Sequence, residues 1–481
     1  MAATPHVAVL AFPFGSHAAP LLTLVRKLAM SAPSATFSFL NTIKSNGSIA
    51  SIIASCASLS NVKICDVWDG VEEGYVPKGR NPLEAIELFL KAMPGNFREA
   101  LRKAVATTGD VTCVLSDAFM WIAEEMATEI GVPWVTLATA GPASVAAHLY
   151  TDLIRETIGV GEGKILLSSL LSLLISSKVA LTLFLFWFLE SKSKLDELLN
   201  CVPCLLPARV RDLPHEILTA DVNSPFACLL HGKATKFPLA KAVVFNSFDG
   251  LDPPILNHLK TKLQKCLPVG PFHLSAPLPP EPDVHGSLTW LDRLPSPASV
   301  AYVSFGTVMS PPPPELAALA EGIEASGAYF LWSLRDAARA NLPEGFVERT
   351  KDRGLIVSWA PQTRVLLHPA VGVFVTHCGW NSMVESIASG VPMMCRPFLG
   401  EQMIMSRMLE EVMGVGLAAK DGVLTKEGVV DSLDLILQKA EGKTMREKVK
   451  ALKAIAEEAV SEGGSSTRNF QSLLEMIVSK A

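Results

Sequence analysis

Short apolar, β-branched runs alternate along this chain with longer stretches of helical period. His6 to Phe12, Thr36 to Thr42, Val62 to Val67, Val111 to Leu115, Val132 to Thr139 and Lys241 to Phe248 have strand length. Near-continuous apolar runs of this kind suit strands covered on both faces of a parallel sheet. Helical patterns fall between them, at His17 to Met30, Pro82 to Ala106 and Ala118 to Ile130, with a turn and helix in TAGPASVAAHLY. Cys266 to Phe272 is a shorter apolar piece. His273 to Gly286, rich in proline, reads as an interdomain linker. The same rhythm then resumes. Ser299 to Phe305, Tyr329 to Leu334, Leu355 to Trp359, Val371 to Val375 and Val391 to Cys395 are predicted strands, and a helix starts near Glu315. The halves share this alternation without a sequence repeat. It predicts an α/β chain.

Composition narrows the picture. The 481 residues suffice for two domains with full cores. The net charge of −5 and the lack of a basic run argue against a nucleic-acid partner. Nine scattered cysteines, an odd number, argue for a reducing compartment. Cys201 and Cys204 form one CxxC, but with no second CxxC and no nearby paired histidines a zinc site is not expected. The N-terminus lacks the basic-then-apolar layout of a signal peptide, so the cytoplasm is the expected location.

The stretch from Trp359 to Gln402 carries the most chemistry. Val371 to Val375 runs into the polar turn Thr376-His377-Cys378-Gly379-Trp380. Asn381 and Ser382, both N-cap types, then open a helix that Gly390 and Pro392 end. This is a βαβ unit, with its turn at the sheet edge where doubly wound folds bind ligands. A helix start of this kind favours a phosphate. Asn381 and Glu385, four apart, share a helix face: one suits a phosphate, the other two ribose hydroxyls. Trp359 offers a flat face to a base, and Glu401 and Gln402 offer polar groups to a sugar. Taken singly, each residue reads equally as a solvated helix start, a core aromatic or a cap. The ordered set is harder to explain that way.

From Trp-Ala-Pro-Gln at its start, through His-Cys-Gly-Trp-Asn-Ser, to the final Gln402, this stretch resembles the signature box of plant secondary-product UDP-glycosyltransferases. The resemblance implies a GT-B fold: two Rossmann-like domains whose parallel sheets face across a cleft, the nucleotide sugar held by the C-terminal one. By position, Trp359 would stack on uracil, and Gln362 and Glu385 would serve the nucleoside. His377, Asn381 and Ser382 would hold the diphosphate, and Trp380, Glu401 and Gln402 would touch the sugar. Ser16, Thr307 and Ala360 fall in the same UDP-sugar site. The family usually has Asp where this chain has Glu401. Implied domains are 1–250 for the acceptor, a linker region 251–286, 287–464 for the UDP-sugar, and a returning helix at 465–481.

The first half supplies the other partner. His17 follows a strand and sits near a helix start, which disfavours the imidazolium and leaves a neutral base. Alone, such a histidine is more often structural. FPFGSHAAPLL resembles the family segment whose catalytic base is this histidine. Asp117 ends a strand on the same edge and on its own reads as an N-cap. By the resemblance it holds His17 in its working tautomer. Phe119, Thr139 and His148 match acceptor-pocket positions, and SDAFMW, TAGP and RPFLGEQ resemble flavonoid and anthocyanidin 3-O-glucosyltransferases. The implied reaction is inverting transfer of glucose from UDP-glucose to a phenolic hydroxyl, without metal or cofactor, by a monomer with no stable membrane insertion. A dinucleotide oxidoreductase would need G-x-G-x-x-G after a strand, which the turns here lack.

One segment breaks the pattern. Ile165 to Leu189 is apolar over 25 residues, with Lys178 its one charge. Its length and hydropathy meet the criterion for a membrane helix, yet a single span here would divide one domain across a membrane. The flanks IRETIGV and LDELLNCVP read as family-like sequence once it is removed. Gly163-Lys164 can be encoded with a splice-donor sequence. The segment, bounded at 164–192, therefore reads as translated intron, and a misfolded or inactive product is the rival to an enzyme. Deleting Lys164 to Lys192 should raise soluble yield and keep or increase transfer. Mature transcripts that all retain these codons, with an inactive deletion, would contradict this origin.

Overall fold

The computed structural model describes residues 4–72, 74–75, 82–159, 194–218, 225–279, 282–294 and 296–478. The apolar segment Ile165 to Leu189 lies outside the described residues.

Seven parallel strands form the first sheet: β1 (His6–Leu10), β2 (Thr36–Thr42), β3 (Val62–Val67), β4 (Cys113–Asp117), β5 (Trp134–Ala138), β6 (Ala242–Phe245) and β7 (Cys266–Pro268). Their order is β3-β2-β1-β4-β5-β6-β7. Six parallel strands form the second: β8 (Val300–Ser304), β9 (Tyr329–Ser333), β10 (Gly354–Val357), β11 (Val371–Thr376), β12 (Met393–Cys395) and β13 (Gly416–Ala418). Their order is β10-β9-β8-β11-β12-β13. Each sheet is wound outward from its first strand and then resumes on that strand's other side. The switch points therefore fall between β1 and β4 and between β8 and β11. Chains leaving the two strands diverge there, opening a crevice at the carboxyl edge.

The predicted strands are present; Thr36–Thr42 and Val62–Val67 have the predicted bounds, Val111 to Leu115 is shifted to Cys113–Asp117, and several others are shorter because pairing ends before the apolar run does. Lys241 to Phe248 contributes only Ala242 to Phe245. β13, in a glycine-rich stretch, was not predicted; its three residues pair with β12. The helices that position the site are α1 (Ala18–Ser31), α2 (Pro82–Thr108), α3 (Ile122–Ile130), α4 (Pro142–Leu149), α5 (Pro225–Lys236), α6 (Trp380–Ser389), α7 (Gln402–Arg407) and α8 (Ser465–Val478). Two expectations need correction. The helix expected from Ala118 starts at Ile122, because Asp117 turns the chain by accepting the Phe119 N–H at 2.8 Å. Asn381 and Ser382 do not cap α6: its N-cap is Gly379, which makes no side-chain cap bond.

The domains are fastened at several places among the described residues. On α8, which packs against β7, Phe470, Leu473 and Ile477 fall on one face and join the apolar core on one side of the first sheet. Burying each such side chain is worth roughly 1.5–3 kcal/mol. The Asn469 amide also donates to the Pro268 carbonyl at 2.9 Å. Arg407 on α7 forms a paired contact with the Asp212 carboxylate, at 2.9 and 3.3 Å. A further fastening, around Trp380, lies within the site itself. The expected linker begins with a helical turn, Phe272–Ser275. Among the described residues, no helix is long and apolar enough to cross a membrane.

Candidate active site

Three neighbouring strands of the first sheet deliver one cluster. His17 is the N-cap of α1, a few residues beyond β1. Asp117 is the last residue of β4, and Thr139 follows β5. The Asp117 carboxylate is fully buried, with one oxygen 2.9 Å from His17 Nδ1. Its other oxygen accepts the Phe119 N–H. Thr139 Oγ1 also lies 2.8 Å from His17 Nδ1. A carboxylate can only accept, so the ring proton belongs on Nδ1 and is shared with the threonine oxygen. Nε2 is left as the basic nitrogen, on a side chain 21 % exposed. Thr139, expected only as an acceptor contact, thus also orients the imidazole.

The second sheet supplies a polar edge. Trp359 lies just past β10 and is 50 % exposed, while its neighbour Ala360 is buried. Gln362 Nε2 donates to Ser382 Oγ at 3.0 Å and to Glu385 Oε2 at 2.8 Å. These bonds lock the Gln362, Ser382 and Glu385 side chains together beneath the Trp359 turn. Thr307, exposed on the turn after β8, anchors that turn by accepting at its carbonyl from Arg335 at 2.6 Å. His377 lies beside it. Gly306, at φ 73°, has no room for a side chain, since a Cβ would fall 2.9 Å from His377 Cε1. His377 Nδ1 is shut off from solvent and, among the described residues, has no hydrogen-bond partner. Burial pushes the His377 pKa down to about 4. Because α6 has no side-chain cap, its first-turn N–H groups remain beside this imidazole.

Three residues expected at the sugar or diphosphate help join the domains. Trp380 is buried, and its indole N–H donates to the Asn246 carbonyl at 2.9 Å. Its ring packs on Gly141, where a Cβ would collide with it. Asn246 Nδ2 donates to Asn381 Oδ1 at 2.9 Å. This leaves the Asn381 amide nitrogen, a donor, for an anion. Glu401 reaches across to accept the Gly141 N–H at 2.9 Å, at the N-cap of α4. Burial raises its pKa to about 6, against the lowering effects of the Gly141 bond, Lys233 and His17. Gln402 Oε1 accepts from the Phe398 and Leu399 N–H groups, at 2.8 and 3.2 Å, which leaves its amide nitrogen. Ser16 is exposed on the Gly15 turn, which lies beside Val308 of the second domain.

The acceptor side is aromatic. Phe119 meets the His17 ring edge-on at 4.5 Å, and Phe12 lies 5.0 Å from Phe119. Phe14 and Phe89 extend this wall. His148 is buried on α4, and burial, with the charges of Lys233 and Arg155, holds it well below the usual histidine range. Sequence reasoning missed Asn246, Phe12, Phe14, Phe89 and Lys233. Asn246 had a visible signal, since it follows a strand directly.

With this geometry in hand, known proteins place the chain. The family profile described as UDP-glucoronosyl and UDP-glucosyl transferase matches residues 283–458. The chain is 47% identical over 474 residues to anthocyanidin 3-O-glucosyltransferase UFGT of Vitis vinifera, covering 98% of this chain and 97% of that protein. It is 45% identical over 476 residues to flavonol 3-O-glucosyltransferase of Arabidopsis thaliana, with coverage of 98% and 97%. The crystal structure of a UDP-glucose: anthocyanidin 3-O-glucosyltransferase in complex with UDP matches with a TM-score of 0.86 at 40% identity, covering 99% of each chain. The fold is that of a GT-B glycosyltransferase. The chain belongs to the UDP-glycosyltransferase family.

The buried histidines set an acid limit. Burial holds His377 and His273 at about 4, below the ordinary 6.5 of an unfolded chain. Their contribution is complete above 6.5 and is lost as pH falls from 6.5 toward 4, where the unfolded chain takes up the protons. Glu401 acts oppositely: raised to about 6, it favours the fold below its ordinary 4.5 and loses that contribution as pH rises through 6. The histidines outweigh it. Each should cost about 2 kcal/mol of unfolding free energy at pH 5 relative to pH 7. Urea unfolding at both pH values checks this, and His273→Asn should reduce the difference. An equal pH dependence in wild type and variant would contradict it.

Proposed function

We propose that this enzyme transfers glucose from UDP-glucose to a hydroxyl, the 3-hydroxyl, of a flavonoid or anthocyanidin, with inversion at the anomeric carbon. The observation that carries the reading is the His17 Nδ1 bond to buried Asp117, which leaves Nε2 free to act as a base. The names of the relatives support the acceptor and donor classes. His17 takes the acceptor proton as the hydroxyl oxygen forms its bond to the anomeric carbon. The bond from that carbon to the diphosphate breaks on the opposite face, which inverts the centre. Asp117 steadies the imidazolium formed. The departing charge falls to His377, Asn381, Ser382 and Thr307, with the first-turn N–H groups of α6; such preorganised donors are a large catalytic term. Trp359, Ala360, Gln362 and Glu385 hold the nucleoside. Ser16, Trp380, Glu401 and Gln402 serve the sugar, and Phe119, Thr139 and His148 line the acceptor side. The step uses neither metal nor cofactor. We read the protein as a cytoplasmic monomer divided at 250, 287 and 465.

Base and nucleotide site lie on different domains, so chemistry and binding should separate. His17→Ala should lose about 10²–10⁴-fold in turnover while retaining UDP affinity by calorimetry. Asp117→Asn should lose less, but still a large factor. A His17→Ala enzyme that makes the same product at the wild-type rate would overturn the mechanism.

The donor reading rests on Gln402, at a position where galactose-using relatives often carry His. UDP-glucose should therefore give a higher kcat/KM than UDP-galactose on one acceptor. The reverse order would overturn it.

A further inference from the structure

Lys233 on α5 is 3 % exposed, and among the described residues its ammonium makes no hydrogen bond and no ion pair. It sits over the Phe119 ring, 4.4 Å from the centroid. The His17 ring meets that same phenyl group edge-on at 4.5 Å. Base and cation therefore flank one aromatic side chain.

Burying an ammonium without a partner is costly. Burial lowers the Lys233 pKa to about 8, while the Glu401, Asp117 and Glu216 carboxylates raise it. The amine therefore stays mostly charged near neutrality. Of these carboxylates, Asp117 is committed to His17 and the Phe119 N–H and Glu401 to the Gly141 N–H. Glu216 acts on the amine as a charge without bonding to it, one of its oxygens being buried with no hydrogen-bond partner among the described residues. Among the described residues the fold thus keeps a cation at the aromatic wall and gives it a π face, with no carboxylate in direct ion-pair contact.

We propose that Lys233 is an acceptor-recognition residue, selecting flat phenolic acceptors that carry an acidic or ionised hydroxyl remote from the one glucosylated. The inference rests on the acceptor site proposed above. His17 Nε2 takes the reacting hydroxyl. A second oxygen of the same flat molecule, lying along the Phe119 and Phe12 wall, meets the ammonium. Phenolate suits this place better than carboxylate, because the surrounding surface is aromatic and the charge can spread into a stacked ring. A hydrogen bond to a charged group is worth enough to discriminate by about 10-fold or more.

The test compares a flavonol with its mono-O-methyl ethers, each keeping the reacting hydroxyl free. In the wild type, methylating one remote hydroxyl should lower kcat/KM by about 10-fold or more, mainly through KM. In Lys233→Met that ratio should shrink to about 2-fold, with the KM for UDP-glucose unchanged. Lys233→Arg should restore the preference. An unchanged ratio in Lys233→Met overturns the proposal. So does an equal loss on every acceptor, which is what a purely structural lysine would produce. So does a wild type indifferent to every methylation. If Lys233→Met does not fold, Lys233→Gln and Lys233→Arg carry the same comparison. If no phenolic is glucosylated, the functional reading fails separately, and the same Kd ratios from fluorescence quenching still decide the role of Lys233.

Discussion

The site depends on how the two domains meet at Trp380. Its indole N–H is bonded to the Asn246 carbonyl, and its ring lies on Gly141. Those partners belong to the loops after β6 and β5, on the carboxyl edge of the first sheet. Trp380 itself opens α6, on the carboxyl edge of the second. One side chain therefore helps set the distance between the His17 cluster and the start of α6. A glycine at 141 is needed for the approach, since any Cβ would occupy the space of the ring. Asn246 with Asn381, and Glu401 with Gly141, repeat the tie on either side.

Electrostatics on the two edges differ in kind. On the first, a fully buried carboxylate is held by two donors, His17 Nδ1 and the Phe119 N–H, and so fixes which imidazole nitrogen is basic. The second presents a helix start without a side-chain cap beside a histidine kept neutral by burial. Between them lie two ionisable groups that the seam strips of water, Glu401 and Lys233, with pKa values moved toward neutrality from opposite sides, to about 6 and about 8. The Glu401 carboxylate reaches the helix start of the opposite domain.

Much of this was legible in the chain before any coordinates. The strand runs, the breaks at Gly390 and the proline-rich linker marked two α/β halves, because parallel strands buried on both faces must be apolar along their length. The order from Trp359 to Gln402 singled out residues that the fold gathers, Gln362 with Ser382 and Glu385, and His17 and Asp117, named from their places at strand ends, lie 2.9 Å apart. Strand limits were less legible: β13 is three residues long and exists through its pairing with β12. The cap of α6 was misassigned because Asn381 and Ser382 have capping chemistry, while Gly379 takes the position.

By itself the sequence determined the element types, the division into halves and the residues at the strand ends. These follow from local periodicity and turn chemistry, which act over a few neighbours. Only the tertiary structure decided which of those ends meet. Thr139 joins His17 because β5 lies next to β4, an adjacency 122 residues apart in the chain. Trp380 finds Asn246 across 134 residues. Lys233 looked like any lysine on a helix until packing placed it over Phe119 with, among the described residues, no carboxylate in ion-pair contact. Burial and partnership are properties of the assembled fold, so the charge state and role of such a residue cannot be read from its neighbours in sequence.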